Sequence, residues 1–121
     1  MGEESAILAD PTAPIDVEVA GETPHVLAYK VWTKAPGEDR WTVAAEGHSE
    51  DDLPDIHAIG PLALGTLVAW WLGVGGSPES WFRAVVRFRQ GGAILEGGER
   101  RMRGRTGSRG GAVRSGEARI A

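Results

Sequence analysis

The sequence contains no cysteine, and this absence excludes several classes of protein at once. Without cysteine there is no disulfide framework, no thiolate nucleophile and no cysteine-based zinc or iron–sulfur site. The longest apolar stretch, residues 67–76, is too short to cross a bilayer as a helix. The N-terminus is acidic where a secretory signal needs basic residues. We therefore expect a cytoplasmic protein.

The motifs of common catalytic and nucleotide-binding sites are also missing. The chain has no G-x-S-x-G elbow and no H-E-x-x-H, and its glycine runs match neither G-x-G-x-x-G nor the Walker pattern. We therefore expect a protein that is not an enzyme and needs no cofactor. A triad assembled from distant residues stays open, because it would leave no local motif.

Glycine and proline are abundant, with 18 and 7 residues in a chain of 121, and they divide it into short segments. Most of these segments alternate apolar and polar residues or are rich in β-branched and aromatic ones, which predicts strands. Pro36-Gly37 predicts a tight turn between two of them. Residues 65–74 are apolar on both faces, as a central strand requires.

The segment 78–90 permits two interpretations. As a helix it has a capping residue in Ser77, a favoured first residue in Pro78 and a terminating Gly91. As a strand it leads into Gly91-Gly92, a two-residue hairpin signal between apolar runs. The hairpin register sets Arg87 opposite Glu96, a favourable pair. We favour the hairpin.

These features predict an all-β protein, an antiparallel immunoglobulin-like β-sandwich of about six to eight short strands. The alternative is an α+β fold with one helix at 78–90. Residues 1–14 are expected to form an irregular lead-in, because two prolines discourage strand pairing there. Residues 15–121 are expected to form a single domain.

The order of features resembles bacterial immunoglobulin-like sandwich domains in general, over residues 15–120. The resemblance rests on the Gly65-Thr66 strand entry, the VRFRQGGAIL hairpin and the GRTGSRGGAV turn, which is similar to a T-x-x-G-x-a closing turn. It implies the fold and carries over no functional residue. The Cys…Trp…Cys core of antibody domains is lacking.

Charge is divided unevenly between the two halves of the chain. Residues 1–60 hold 13 acidic and 3 basic side chains, whereas residues 61–121 hold 4 acidic and 10 basic ones. In one interpretation the halves fold onto each other and their charges largely neutralise. In the other, a basic face meets an acidic partner or a neighbouring copy of the chain.

Two groups of residues are candidates for binding. Trp32 and Trp41 are predicted to pair across the first hairpin, exposed beside Lys30, where they would stack on sugars or anchor a protein. A register shift of one would instead make Trp41 a core residue. The second group lines one face of the 78–90 strand, where we expect an acidic protein surface: Arg83, Arg87 and Arg89.

The segment 46–57 is rich in acids and histidine, which are the ligands of metal ions. It lacks the spacing of a calcium loop, so a solvated acidic loop is the default interpretation. A weak metal-site hypothesis rests on Asp51, Asp52, Asp55 and His57.

The tail 99–114 concentrates arginines, but no aromatic residue is interleaved with them and the whole chain is acidic. Nucleic acid is therefore not an expected partner. The sequence favours a non-catalytic interaction or assembly module that binds a protein partner or associates with itself. The alternative is a carbohydrate-binding module that uses exposed tryptophans, and a metal-dependent or hydrolytic enzyme comes third.

Overall fold

Alternating apolar residues produce short extended segments along the whole chain. A computed structural model describes residues 5–21, 26–49 and 53–121. The described residues include no helix long and apolar enough to cross a membrane. They form nine strands: β1 (Ser5–Ile7), β2 (Ile15–Gly21), β3 (Val26–Lys34), β4 (Thr42–Ser49), β5 (Asp55–Gly60), β6 (Leu67–Gly75), β7 (Trp81–Gln90), β8 (Ala93–Arg105) and β9 (Gly111–Ile120).

The strands form two sheets that pack face to face, which confirms the predicted β-sandwich. One sheet has the order β1-β9-β6-β3-β4, and the other has the order β5-β2-β7-β8. All pairings are antiparallel except the parallel pair of β1 with β9. The strand predicted to be apolar on both faces is β6, which lies at the centre of the five-stranded sheet.

The core lies between the sheets and is made of alternate residues from both of them. Val17 and Val19 of β2 and Val86 and Phe88 of β7 are all fully buried. The ring of Trp70 on β6 packs against Phe88 across the sandwich, with a centroid distance of 5.9 Å. Burial of each such side chain stabilises the fold by about 1.5–3 kcal/mol.

The segment 81–90 is strand β7, so the helix considered for 78–90 is wrong. Gln90 pairs with Ala93, and Gly91 and Gly92 both have positive φ, as a type I′ turn requires. The predicted register is wrong beyond the turn, because Arg87 lies opposite Glu99 rather than Glu96.

The register shift comes from a bulge in β8 that brings it against β1. Gly97 has a φ of 75°, and a Cβ there would collide with the carbonyl oxygen of Ala6. Next to it, the backbone N–H of Leu8 donates to Glu96 at 2.9 Å. Residues 5–7, expected within an irregular lead-in, therefore form β1, and Ile7 is part of the core.

Replacement of Gly97 by alanine tests this close approach. Alanine would need a strained positive φ and would also collide with Ala6, so we expect Gly97→Ala to lower the free energy of unfolding by about 2–4 kcal/mol. Gly92→Ala is the matched control, because Gly92 has a φ of 81° and open space around it. Chemical denaturation of both variants is the measurement. Equal losses would contradict the contact with β1.

Candidate functional site

Glu18 is the most buried carboxylate on the outer face of the four-stranded sheet, with 5% of the residue exposed. Two arginines of β7 donate hydrogen bonds to it. Arg87 Nη1 lies 2.8 Å from Oε2, and Arg89 Nε lies 3.1 Å from Oε1. Both carboxylate oxygens are therefore bonded, which offsets the cost of burying the charge.

The ion pairs continue from β7 onto β8. Arg87 Nε donates to Glu99 Oε2 at 2.7 Å, and Arg101 Nε donates to Glu99 Oε1 at 2.9 Å. The hydrogen bond to Glu99, followed by the one to Glu18, raises the pKa of Arg87 above its usual value. The hydrogen bond from Arg87, followed by the one from Arg101, lowers the pKa of Glu99. We call this alternating row across β2, β7 and β8 the charge ladder: Arg89, Glu18, Arg87, Glu99 and Arg101.

Two of the three arginines predicted to bind a partner belong to the charge ladder. Arg87 and Arg89 meet acids of their own chain. Glu18 belongs to the acidic half of the sequence and both arginines belong to the basic half. The arrangement therefore agrees with the interpretation in which the halves neutralise each other.

The third predicted arginine lies in different surroundings, further along β7. Arg83 pairs directly with Arg103 of β8, and the next outward pair along the strands is Trp81 with Arg105. Arg101, the last member of the charge ladder, lies on the other side of Arg103. We call this set the arginine surface: Trp81, Arg83, Arg101, Arg103 and Arg105.

The arginine surface is open to solvent, since all five of its residues are exposed. Trp81 is 70% exposed, and the Arg105 guanidinium lies 5.9 Å from the centroid of its ring. In the part of the chain that the structure describes, no carboxylate forms an ion pair with Arg103 or Arg105. A cavity of about 660 Å³ lies at Trp81, Arg83 and Arg103. A neighbouring cavity of about 780 Å³ shares both of these arginines and extends to Arg101.

The turn between β8 and β9 holds this end of the sheet in place. Thr106 is 3% exposed, and its hydroxyl donates to the carbonyl of Ser77 at 2.6 Å. The same hydroxyl accepts a hydrogen bond from the Ser80 backbone N–H at 2.9 Å. Arg105 Nε also donates to the carbonyl of Glu79 at 3.1 Å. These hydrogen bonds therefore fix the backbone from which Trp81 and Arg105 project.

Two further arginines of the tail have a structural role. Arg100 of β8 and Arg114 of β9 lie at inward positions, because they pair with the buried residues Val86 and Leu72. The guanidinium of Arg100 lies 5.9 Å from the ring centroid of Trp70, and that of Arg114 lies 5.2 Å from Phe82. They cover aromatic rings of the core while their charged ends reach water.

Trp32 and Trp41 lie on the opposite face of the sandwich, on the outer side of the five-stranded sheet. The predicted pairing of the two is wrong, because the connection over residues 35–41 sets Trp32 opposite Val43. Trp41 precedes β4 and is 37% exposed. Trp71 of β6, also 37% exposed, shares this face because its partner on β3 is Lys30.

Lysines lie over two of these indole rings. Lys30 Nζ is 5.6 Å from the ring centroid of Trp32, and Lys34 Nζ is 5.3 Å from that of Trp41. Lys30 also pairs with Glu46 at 3.7 Å. The cations lie where a sugar ring would stack, so carbohydrate binding here stays a prediction that the geometry does not favour.

Asp55 and His57 come together around the hydroxyl of Tyr29. Tyr29 donates to Asp55 Oδ2 at 2.7 Å, and His57 Nε2 lies 2.6 Å from the same hydroxyl. The phenol O–H donates its one hydrogen bond to Asp55. The phenol oxygen therefore accepts the second bond, and Nε2 of His57 is the donor in it. Within the described ranges no three acidic or histidine residues form a group that could hold a metal. Asp51 and Asp52 lie outside the described residues.

A scan against protein-family models finds no match, and a search of the curated proteins finds none. A solved structure shares the fold. It is a domain of unknown function (DUF4425) from Bacteroides vulgatus, with a TM-score of 0.54 and 6% sequence identity. The match covers 92% of this chain and 97% of that chain. At this identity the likeness concerns the fold alone.

Sequence reasoning missed Trp81, Arg101, Arg103 and Arg105 as members of one site. One signal was present, because Trp81 breaks the apolar pattern of β7 by falling on the arginine side of the strand. Its neighbours could not be found from spacing, since the bulge at Gly97 changes which residues of β8 face β7.

Substitution of Glu18 by glutamine tests the centre of the charge ladder. The amide keeps the shape but cannot accept two charged hydrogen bonds, so we expect Glu18→Gln to lower the free energy of unfolding by about 1.5–3 kcal/mol. Glu117→Gln on the exposed face of β9 is the control and should change it by less than about 0.5 kcal/mol. Urea denaturation measures both. A loss no larger than that of the control would show that the ladder adds no stability.

The single tyrosine of the chain allows a clean pH test. Burial, followed by the hydrogen bond to Asp55, raises the pKa of Tyr29 well above its ordinary value of 10.0. The phenol of the unfolded chain therefore ionises at a lower pH than that of the folded protein. The contribution of Tyr29 to the free energy of unfolding is complete below the ordinary pKa and falls as the pH rises above it. We expect tyrosinate absorbance to appear at a higher pH in the native protein than in denaturant. Coincident titrations would contradict the buried hydroxyl.

Proposed function

We propose that the protein is a non-catalytic β-sandwich interaction module that binds a partner of dense negative charge on the arginine surface. The observation that carries the proposal is the pairing of β7 with β8, which sets Arg103 and Arg105 of β8 beyond Glu99 and on the same face as the exposed ring of Trp81. Within the described residues Arg103 and Arg105 form no ion pair with a carboxylate, so an anionic partner would meet their full positive charge.

The distribution of acids supports the same conclusion. Glu18 and Glu99 already accept hydrogen bonds from Arg87, Arg89 and Arg101, so they neutralise that end of the sheet. Arg103 and Arg105 lie on the far side of Arg101 from these acids. Among the described residues, Arg103 and Arg105 therefore carry positive charge that no ion pair offsets, and this charge would speed the encounter with an anionic partner.

The other binding hypotheses have weaker support in the geometry. Head-to-tail association through charge cannot use Glu18, one of the two acids of β2, because Glu18 is buried beneath arginines of its own chain. Carbohydrate binding at Trp32 and Trp41 must displace lysines from the rings.

Inorganic polyphosphate is a suitable first probe, since it carries dense negative charge and has no aromatic ring that could stack on a tryptophan. We expect binding whose log affinity falls with log salt concentration with a slope of about −2 to −3, as three or four arginine–phosphate contacts require. Arg103→Glu should weaken binding roughly tenfold at low salt. Fluorescence anisotropy of labelled polyphosphate measures both quantities.

The control is Arg40→Glu, which makes the same change of charge in the exposed turn between β3 and β4. This turn is at the opposite end of the sandwich from Arg103, and the variant should bind as the unaltered protein does. Equal weakening by the two variants would mean that only net charge matters. That result, or an affinity independent of salt, would overturn the proposed site.

A further inference from the structure

We infer that the anionic partner is a single-stranded nucleic acid, whose base stacks on Trp81 while its phosphates bind the neighbouring arginines. The inference rests on the proposed function and goes further by naming the class of ligand. The observation behind it is an aromatic ring that is 70% exposed and lies within a row of guanidinium groups. Sequence-tolerant binding of single strands needs this combination of stacking platform and positive groove.

The position of Trp81 is suited to stacking. Trp81 occupies the outward face of β7, and Arg105 of the adjacent strand contacts its ring. Hydrogen bonds of Thr106 to Ser77 and Ser80 fix the backbone just before it. The ring is therefore presented without dependence on a loose loop, and stacking on it loses little conformational entropy.

The arginines are placed to follow a phosphate backbone away from the stacked base. Arg105, Arg103 and Arg101 are alternate outward residues of β8, so they repeat about every 7 Å along the strand. Arg83 faces Arg103 from β7, and the two adjoining cavities meet at this pair. A ligand that begins at Trp81 and runs toward Arg101 would thus keep its phosphates within reach of successive guanidinium groups.

The objections that the sequence raises against nucleic acid do not apply to this surface. Aromatic residues are not interleaved with arginines along the tail, but strand pairing inserts Trp81 beside Arg105 and Arg103 from another part of the chain. The chain as a whole is acidic, yet Glu18 and Glu99, two described acids of the same sheet face, are bonded within the charge ladder, and no described carboxylate forms an ion pair with Arg103 or Arg105. An acidic protein would bind the arginines, but its carboxylates would not need the exposed indole ring of Trp81.

The test compares a short oligothymidylate with polyphosphate and polyglutamate of similar charge. Trp81→Ala should weaken oligothymidylate binding about 5- to 100-fold, the loss of one stacked base, and leave the other two unchanged. Trp81→Phe should recover part of the affinity. Trp71→Ala is the matched control, since it removes an exposed tryptophan from the opposite face and should have no effect. Circular dichroism verifies that each variant is folded.

The outcomes separate the two proposals. If Arg103→Glu weakens oligothymidylate binding but Trp81→Ala does not, the arginine surface stands and the nucleic-acid inference is wrong. If polyglutamate binds as tightly as oligothymidylate with no dependence on Trp81, the partner is an acidic protein and the inference is again wrong. If none of the three probes binds, both proposals fail.

Discussion

The buried carboxylate of Glu18 is the interaction on which the arrangement of this sandwich depends. It belongs to the acidic half of the chain and holds two arginines of the basic half, so it joins β2 to β7 by charge as well as by backbone pairing. Loss of this carboxylate would leave two guanidinium groups without their shared partner, and the cost of that favours a single register of β7 against β2.

A consequence of this pairing is that charge becomes unequal along the same strand. Near the Gly91-Gly92 turn, acids from β2 and β8 match the arginines of β7. Toward Trp81, the last described pair between β2 and β7 is Gly21 with Ala84. Beyond that point β8 contributes only Arg103 and Arg105 to the outward face. The arginine surface is therefore formed by outward residues of β7 and β8.

The five tryptophans show how differently one residue type can be used within a sandwich. Trp70 is in the core beneath Arg100, Trp32 and Trp41 lie beside lysines, Trp71 lies exposed on the same outer face, and Trp81 stands among arginines. Lysine or arginine lies near most of these rings for two reasons. The face of an indole ring attracts positive charge, and the ring covers the aliphatic part of the lysine or arginine side chain. Only Trp81 combines high exposure with a row of arginines.

The sequence by itself determined the class of fold, since period-two patterns, the Gly91-Gly92 turn and the central apolar segment all depend on neighbours along the chain. It also indicated the arginine face of β7. The tertiary structure decided what meets that face, because a bulge at Gly97 moved Arg87 from Glu96 to Glu99. It also decided the register of the first hairpin, in which Trp32 lies opposite Val43 and not Trp41. Bulges depend on contacts with distant strands, here the approach of Ala6 of β1 to Gly97. Residue spacing along the chain contains no record of such contacts.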